Sequence, residues 1–369
     1  MQTASLSIDA YRDILARLPP DLDLDVLARS TKAIERGREL SDGTALLRLA
    51  LARGPGGLSL NQTAVWAALQ GLPSLSDPGL KYRLDKAVPF LKAVMEQQLA
   101  ERAASTCLHW PGRILRAIDG SHIQQPGSKG YDWRLHATFD LGRGGFSHLE
   151  LTAPHGPAEA VNRDAPIQGE VRIGDRQYAN AAALQSFREA SGGQADFIVR
   201  TRWKSFVLQR ADGTPFNLIA HLQALPPGSD QQEVLVQAKV EKTYSLKLRL
   251  VIQRLDPEMV ERIRHHLRRS ASRKQKALDP RSLVAAEFLI LATSLPAEGY
   301  SAETVLAAYR LRWQIELAFK RLKSLLHIDR LPTHTPKASQ SWLYAHLILA
   351  LLCDDLSQEV LESSPSGPD

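Results

Sequence analysis

From Arg113 onward the chain stops reading as helix and breaks into short runs of β-forming residues, and this change of texture limits the folds open to it. Ile114-Leu115-Arg116-Ala117-Ile118 ends at Asp119-Gly120. Leu135 to Leu141 and His148 to Thr152 follow, with Gly142, Gly144 and Gly145 turning between them. Val171-Arg172-Ile173 then ends at Gly174-Asp175, a helix-compatible stretch runs from Tyr178 to about Ala190, and Phe197-Ile198-Val199 is another buried-strand run. Three meandering strands followed by strand, helix and strand predict a mixed α/β (α+β) core over 106–200.

The flanking regions differ. Residues 1–105 read as a helical domain with Gly/Pro-rich connectors such as Gly54-Pro55-Gly56-Gly57. Ser59-Leu60-Asn61-Gln62 leads into an apolar-periodic run from Thr63 to Leu69, ended by Gly71 and Pro73. Ser76-Asp77-Pro78 starts another helix, with a break or kink due at Pro89. Helix, tight turn, helix, with Lys81 and Arg83 early in the second, fits a helix-turn-helix entering a DNA groove and an ordinary helical hairpin equally well. Over 201–285, runs such as Glu233 to Ala238 and Leu246 to Ile252 predict a separate β-rich unit. After them come Arg262, Arg264, His265, His266, Arg268, Arg269, Arg273, Lys274 and Lys276. With no acid among them these cations repel one another, and phosphates would neutralise them. Phe288 to Ala292 returns to the core, whose second part spans 286–334, and Ser301 is the expected N-cap of the next helix, with Glu303 in its first turn. A last helix, Trp342 to Val360, and a tail fill 335–369.

Composition sets outer limits. A chain of 369 residues holds two or three compact units, and a net charge of +6 with pI about 9.3 suits a polyanionic partner without demanding one. Two distant cysteines, Cys107 and Cys353, make neither a metal cluster nor a disulfide framework, so a reducing cytoplasm is expected. The most apolar stretch, Trp342 to Cys353, is too short to span a bilayer, and the charged start is unlike a signal peptide, so neither a membrane partner nor secretion is expected.

The segment from Tyr309 to Lys323 carries the chemistry. Tyr309, Arg312, Glu316 and Lys323 are offset by three, seven and fourteen residues from the first, which on one continuous helix puts them within roughly 60° of each other. Leu311, Ile315, Ala318, Phe319, Leu322, Leu325 and Leu326 form a separate buried stripe. Asp119 and Asp175 each follow an apolar strand, where α/β sheets place ligand groups. Either alone reads as a turn residue. With Glu316 they make a candidate three-carboxylate site for hard divalent cations, two Mg2+ ions with Mn2+ as a substitute. Asp140, Asp164 and Asp196 compete, Asp140 most seriously because it ends a strand.

These residues resemble the bacterial insertion-sequence transposases with a DDE active site, the family founded on insertion sequence 4 and marked by Y-x2-R-x3-E-x6-K. The match includes Arg312-Trp313, Ile315-Glu316, Asp119-Gly120-Ser121 and Asp175-Arg176-Gln177-Tyr178. The resemblance implies a ribonuclease H-like core interrupted by a β-rich insertion domain, with 1–105 binding DNA ends. It implies a DNA transposase that hydrolyses phosphodiesters and transfers strands, using Asp119, Asp175 and Glu316 as catalytic and metal-binding residues. Tyr309 and Arg312 would clamp the DNA end and Lys323 would hold the strand. An aromatic on the preceding strand, Phe288 or else Trp203, would stack on a flipped base. Arg200 and Arg202, after a core strand, and Arg268, Arg269, Arg273 and Lys274 are further candidate phosphate contacts. The implied partners are double-stranded DNA, as terminal inverted repeats and target, and further copies of the chain in a homodimer or larger synaptic complex at the nucleoid. A related nuclease and a domesticated DNA-binding protein are the alternatives.

Overall fold

In the computed structural model, the structure describes residues 14–36, 40–104, 110, 112–125, 127–156, 158–226, 230–333 and 335–363. The strands are β1 (Ile114–Ile123), β2 (Trp133–Asp140), β3 (Gly145–Thr152), β4 (Glu170–Gly174), β5 (Asp196–Arg200), β6 (Leu208–Gln209), β7 (Gln231–Val240), β8 (Thr243–Arg254) and β9 (Phe288–Thr293). All nine belong to one mixed sheet in the order β3-β2-β1-β4-β5-β9-β8-β7-β6. β1, β4 and β5 run parallel, while β2, β3, β9, β8 and β7 pair antiparallel with their neighbours.

Both faces of the central strands β4, β5 and β9 are buried, and strand alternation divides the side chains between them, whereas β7 is largely exposed. Ile198, Val251 and Leu291 enter one apolar cluster; Phe197, Val199, Leu250, Ile252, Ile290 and Ala292 enter the other. On the first face lie α1 (Leu24–Ser30), α2 (Gly43–Arg53), α3 (Leu60–Leu69), α4 (Asp77–Lys86) and α5 (Val88–Ala104). On the second lie α6 (Ala181–Ala190), α7 (Leu218–Ala224) and α9 (Pro280–Ala285), and α8 (Pro257–Arg273) is tied to the end of α9 by bonds from Arg264 to Leu283 and Glu287. Local chemistry sets the helix ends. Ser59 and Gln62 form a reciprocal capping box on α3, Ser76 caps α4, and α4 stops at Lys86 so that Pro89 falls in the first turn of α5, where proline costs no hydrogen bond.

Two expected boundaries dissolve. The predicted β-rich unit at 201–285 does not form a sheet of its own. Its β7–β8 hairpin extends the core sheet through pairing of Arg249–Arg254 with β9, and the segment also contributes three helices. Nor do the N-terminal helices keep a private core. Leu46, Phe90 and Leu91 share one apolar cluster with Leu115, Phe146 and Leu347. The last helix, α12 (Pro336–Ser363), is longer than expected and lies along α5, α2 and α4. The proposed tail beyond Ser363 lies outside the described residues. No described helix is long and apolar enough to cross a membrane.

Candidate active site

The parallel strands bring the first two acids together. β1 and β4 are in register through Ala117 and Ile173, so two residues on Asp119 is level with Asp175, just past the end of β4. β4 and β5 align Gly174 with Val199, which sets Arg200 level with Asp175 in turn. Neighbouring strands lie about 4.8 Å apart, so these residues form a row across the sheet. Asp119-Gly120 is not the hairpin its sequence permits, because β1 continues to Ile123 and Gly120 pairs with His136. The Glu159 side chain crosses close over this glycine: a Cβ on Gly120 would lie 2.6 Å from its carboxylate oxygen, so a larger residue would displace the Glu159 carboxylate. At Gly174 a Cβ would lie 3.0 Å from Tyr178, whose ring packs on the strand end. Asp175 Oδ1 accepts the Gln177 amide at 2.7 Å, which fixes the turn leaving β4.

The third acid arrives on a broken helix. The sequence predicts one helix across Tyr309 to Lys323, but α10 (Ala302–Arg310) and α11 (Trp313–Leu325) are separate. At the junction the amides of Leu311, Arg312, Gln314 and Ile315 each bond three residues back, a 3₁₀ turn. Such a turn eclipses residues three apart, and the Arg312 guanidinium sits 5.9 Å from the Tyr309 ring centre. As expected, Ser301 caps α10 and Ile315, Ala318, Phe319 and Leu322 are buried on α11; Leu325, assigned to that stripe, is 72% exposed. Arg312 donates to Glu316 Oε1 at 2.6 Å and reaches Asp119 Oδ2 at 3.9 Å, so one guanidinium spans both acids. Glu316, Lys320 and Lys323 share an open groove with Asp119, Gly120 and Ser121, and Asp329 and Arg330 also line it.

Electrostatics mark Asp119 as short of compensation. Burial pushes its carboxyl up to about 6, against the pull of the Gly120 amide and Arg312, and the nearby Asp175 and Glu159 add to the rise. Burial likewise raises Tyr309, with Arg312 and Arg200 pulling the other way. As they stand, no three Asp, Glu, His or Cys side chains among the described residues are close enough to hold a metal ion. Asp119 and Asp175 fit a hard cation as an oxygen pair carrying unneutralised charge. Glu316 is bonded to Arg312, whose guanidinium also lies 3.9 Å from Asp119.

The rival acids have structural roles. Asp140 accepts the Gly142 and Arg143 amides at the β2–β3 turn, Asp164 pairs with buried Arg172 at 2.8 Å, and Asp196 pairs with Arg113 at 2.9 Å. Phe288 is a correction. It is 4% exposed in the cluster on the other face of the sheet, with Arg254 over its ring at 4.6 Å, and offers no face to a base. Trp203 is covered by Arg281 at 4.3 Å. The basic run lies on α8 and is partly compensated: Arg264 pairs with Glu287 at 2.6 Å and with Glu261 at 3.2 Å. Arg268, Arg269, Arg273 and Lys274 are exposed, as is Arg202 after β5. Sequence reasoning missed Glu159, which arrives on an irregular loop with no periodic signal. It also missed the stack of His122 on Tyr131, centroids 4.3 Å apart, beside Arg134.

Aspartates level at the ends of parallel strands, a helical glutamate and a groove carrying Lys320, Lys323 and Arg330 beside its acids are the group types that phosphoryl transfer on nucleic acid calls for. Residues 110–352 match the Transposase DDE domain family, and the chain belongs to it. It is 38% identical over 363 residues to the InsL protein of insertion sequence element IS186A from Escherichia coli (strain K12), covering 97% of each chain. It is equally similar, over 364 residues and 97% of each chain, to the transposase for insertion sequence element IS421 from Escherichia coli. The transposase for IS231F from Bacillus thuringiensis subsp. israelensis is 25% identical over 89% of this chain and 76% of its own. The protein is thus a DNA transposase, a DNA-cleaving and strand-transferring enzyme.

Proposed function

We propose that this transposase hydrolyses the phosphodiester at its element's ends and directs the freed 3′-hydroxyl to target DNA at one site, with Asp119, Asp175 and Glu316 as its carboxylates. The observation that carries the assignment is the level placement of Asp119 and Asp175 on adjacent strands, with Arg312 reaching from Glu316 to Asp119. Two Mg2+ ions, or Mn2+ in their place, suit this oxygen set and when bound supply polarisation of the attacking and leaving oxygens of an in-line displacement. The chain's own groups do the positioning. Asp119 and Asp175 hold their oxygens in directions fixed by the sheet, and Glu316 closes the set from α11. Tyr309 and Arg312 hold phosphates beside the cut, and Lys323 holds the strand along the groove. Arg200 and Arg202 extend this contact, while Arg268, Arg269 and Arg273 of α8, with Lys274 at its C-cap, take phosphates farther along the duplex. The α3–α4 pair contacts the terminal inverted repeats, and the enzyme works as a homodimer or larger synaptic complex. The order β3-β2-β1-β4-β5, with β1, β4 and β5 parallel, supports a ribonuclease H-like core. The Tyr309, Arg312, Glu316 and Lys323 spacing supports a place in the insertion sequence 4 type.

Glu316→Gln tests the assignment in a cleavage assay on an end-bearing duplex with Mg2+. The Glu316 side chain is 53% exposed, so the variant folds normally, and cleavage is expected to fall about a thousand-fold. Cleavage at the wild-type rate would refute it.

A further inference from the structure

We propose that Arg312 is a latch that keeps the acid site from assembling until DNA takes the guanidinium away. This inference rests on the acid site proposed above and concerns its regulation. Three observations meet at one side chain. Arg312 is 18% exposed and bonds Glu316 at 2.6 Å while standing 3.9 Å from Asp119. No three acids among the described residues are assembled for a metal ion. The guanidinium also borders Tyr309 at the break between α10 and α11, and both acids it approaches line the open groove. Its positive charge therefore lies between two carboxylates that a divalent cation would need together.

The latch is built to be released. Glu316 is more than half exposed, and an i,i+4 ion pair of that kind is weak. A DNA phosphate offers a guanidinium a paired, charge-assisted acceptor instead. Moving Arg312 onto the strand leaves Glu316 free to turn toward Asp119 and Asp175, and leaves all three acids short of positive charge at the moment DNA is in place. Linkage makes the effect reciprocal: DNA tightens cation binding by the same factor that cations tighten DNA binding. Free enzyme would then hold its cations weakly and hydrolyse nothing by accident.

Binding of Mn2+ to the full chain, followed by electron paramagnetic resonance of the free ion, tests this without relying on activity. Wild-type protein without DNA is expected to bind Mn2+ weakly, and a short end duplex to tighten binding about tenfold after subtraction of the DNA's own ions. Arg312→Gln should bind about tenfold more tightly than wild type without DNA and gain nothing further from it. Lys320→Gln removes a groove cation that bonds neither acid and should shift affinity much less. Equal affinity in Arg312→Gln and wild type overturns the latch, and so does an equal gain in Lys320→Gln. The added variant Glu316→Gln separates the two ideas: if it abolishes the tight Mn2+ site but Arg312→Gln does not strengthen it, the acid site stands and the latch falls.

Discussion

Asp119→Asn is expected to stabilise the free protein while destroying its activity, and the pH at which the gain appears is set by the site. The carboxyl of Asp119 is raised from its ordinary value near 3.8 to about 6, burial being the largest cause. The folded state therefore binds a proton more tightly there than the unfolded chain does. Below about pH 4 both states are protonated and the carboxyl costs nothing. As pH rises toward 6 the unfolded chain has already ionised, and folding must carry a penalty that is complete above 6. The two values correspond to about 3 kcal/mol at the upper limit. A side chain 23% exposed is partly screened, so about 1–3 kcal/mol is the working range. An unfolding entropy near 2.1 cal/mol/K per residue converts this to a melting-temperature rise of about 1–4 °C for a chain of this length. The assay is thermal unfolding of wild type and Asp119→Asn in chelator, without DNA, from pH 4 to pH 8. The difference should be small at pH 4, grow between 4 and 6, and level off above. A variant less stable than wild type at pH 8, or a gain independent of pH, would refute the account of Asp119 as an acid whose compensating charge comes from outside the protein.

Two further outcomes bear on the DNA-binding surfaces. Phe288→Ala should cost about 3–5 kcal/mol of stability, because it empties a packed position in the second cluster, while DNA affinity below the melting range stays unchanged; a DNA-binding defect in a stable variant would restore Phe288 as a base contact. Arg269→Ala and Arg273→Ala should each lower the slope of log affinity against log salt by about one without changing sequence preference, and slopes equal to wild type would remove α8 from the DNA path.

Sequence disclosed the elements better than their relations. Ile114 to Ile118, Val171 to Ile173 and Phe197 to Val199 were legible as strands because strands buried on both faces are dense in apolar residues, here interrupted only by Arg116 and Arg172. Asp119 and Asp175 were legible as strand-end positions because each follows such a run. That Asp119 and Asp175 are level was not legible, since parallel register is set by the packing of both faces and not by any spacing along the chain. The 201–285 segment was read as independent because its alternation is that of a hairpin, and alternation says nothing about which strand lies beside it; pairing of β8 with β9 is a tertiary fact. The helical wheel failed for a related reason. It assumes 3.6 residues per turn throughout, and a single 3₁₀ turn at Leu311–Arg312 re-aims everything before it. Phe288 shows the same limit from the other side: its position just upstream of the signature suggested a base contact, but strand parity sends it to the opposite face with Ile290 and Ala292. What the sequence preserved through all of this is the chemistry of Arg312 and Glu316, four residues apart on either side of the break. Their bond spans the junction, so the pair that a wheel would draw as a surface ion pair also brings the guanidinium to 3.9 Å from Asp119 at the end of the sheet.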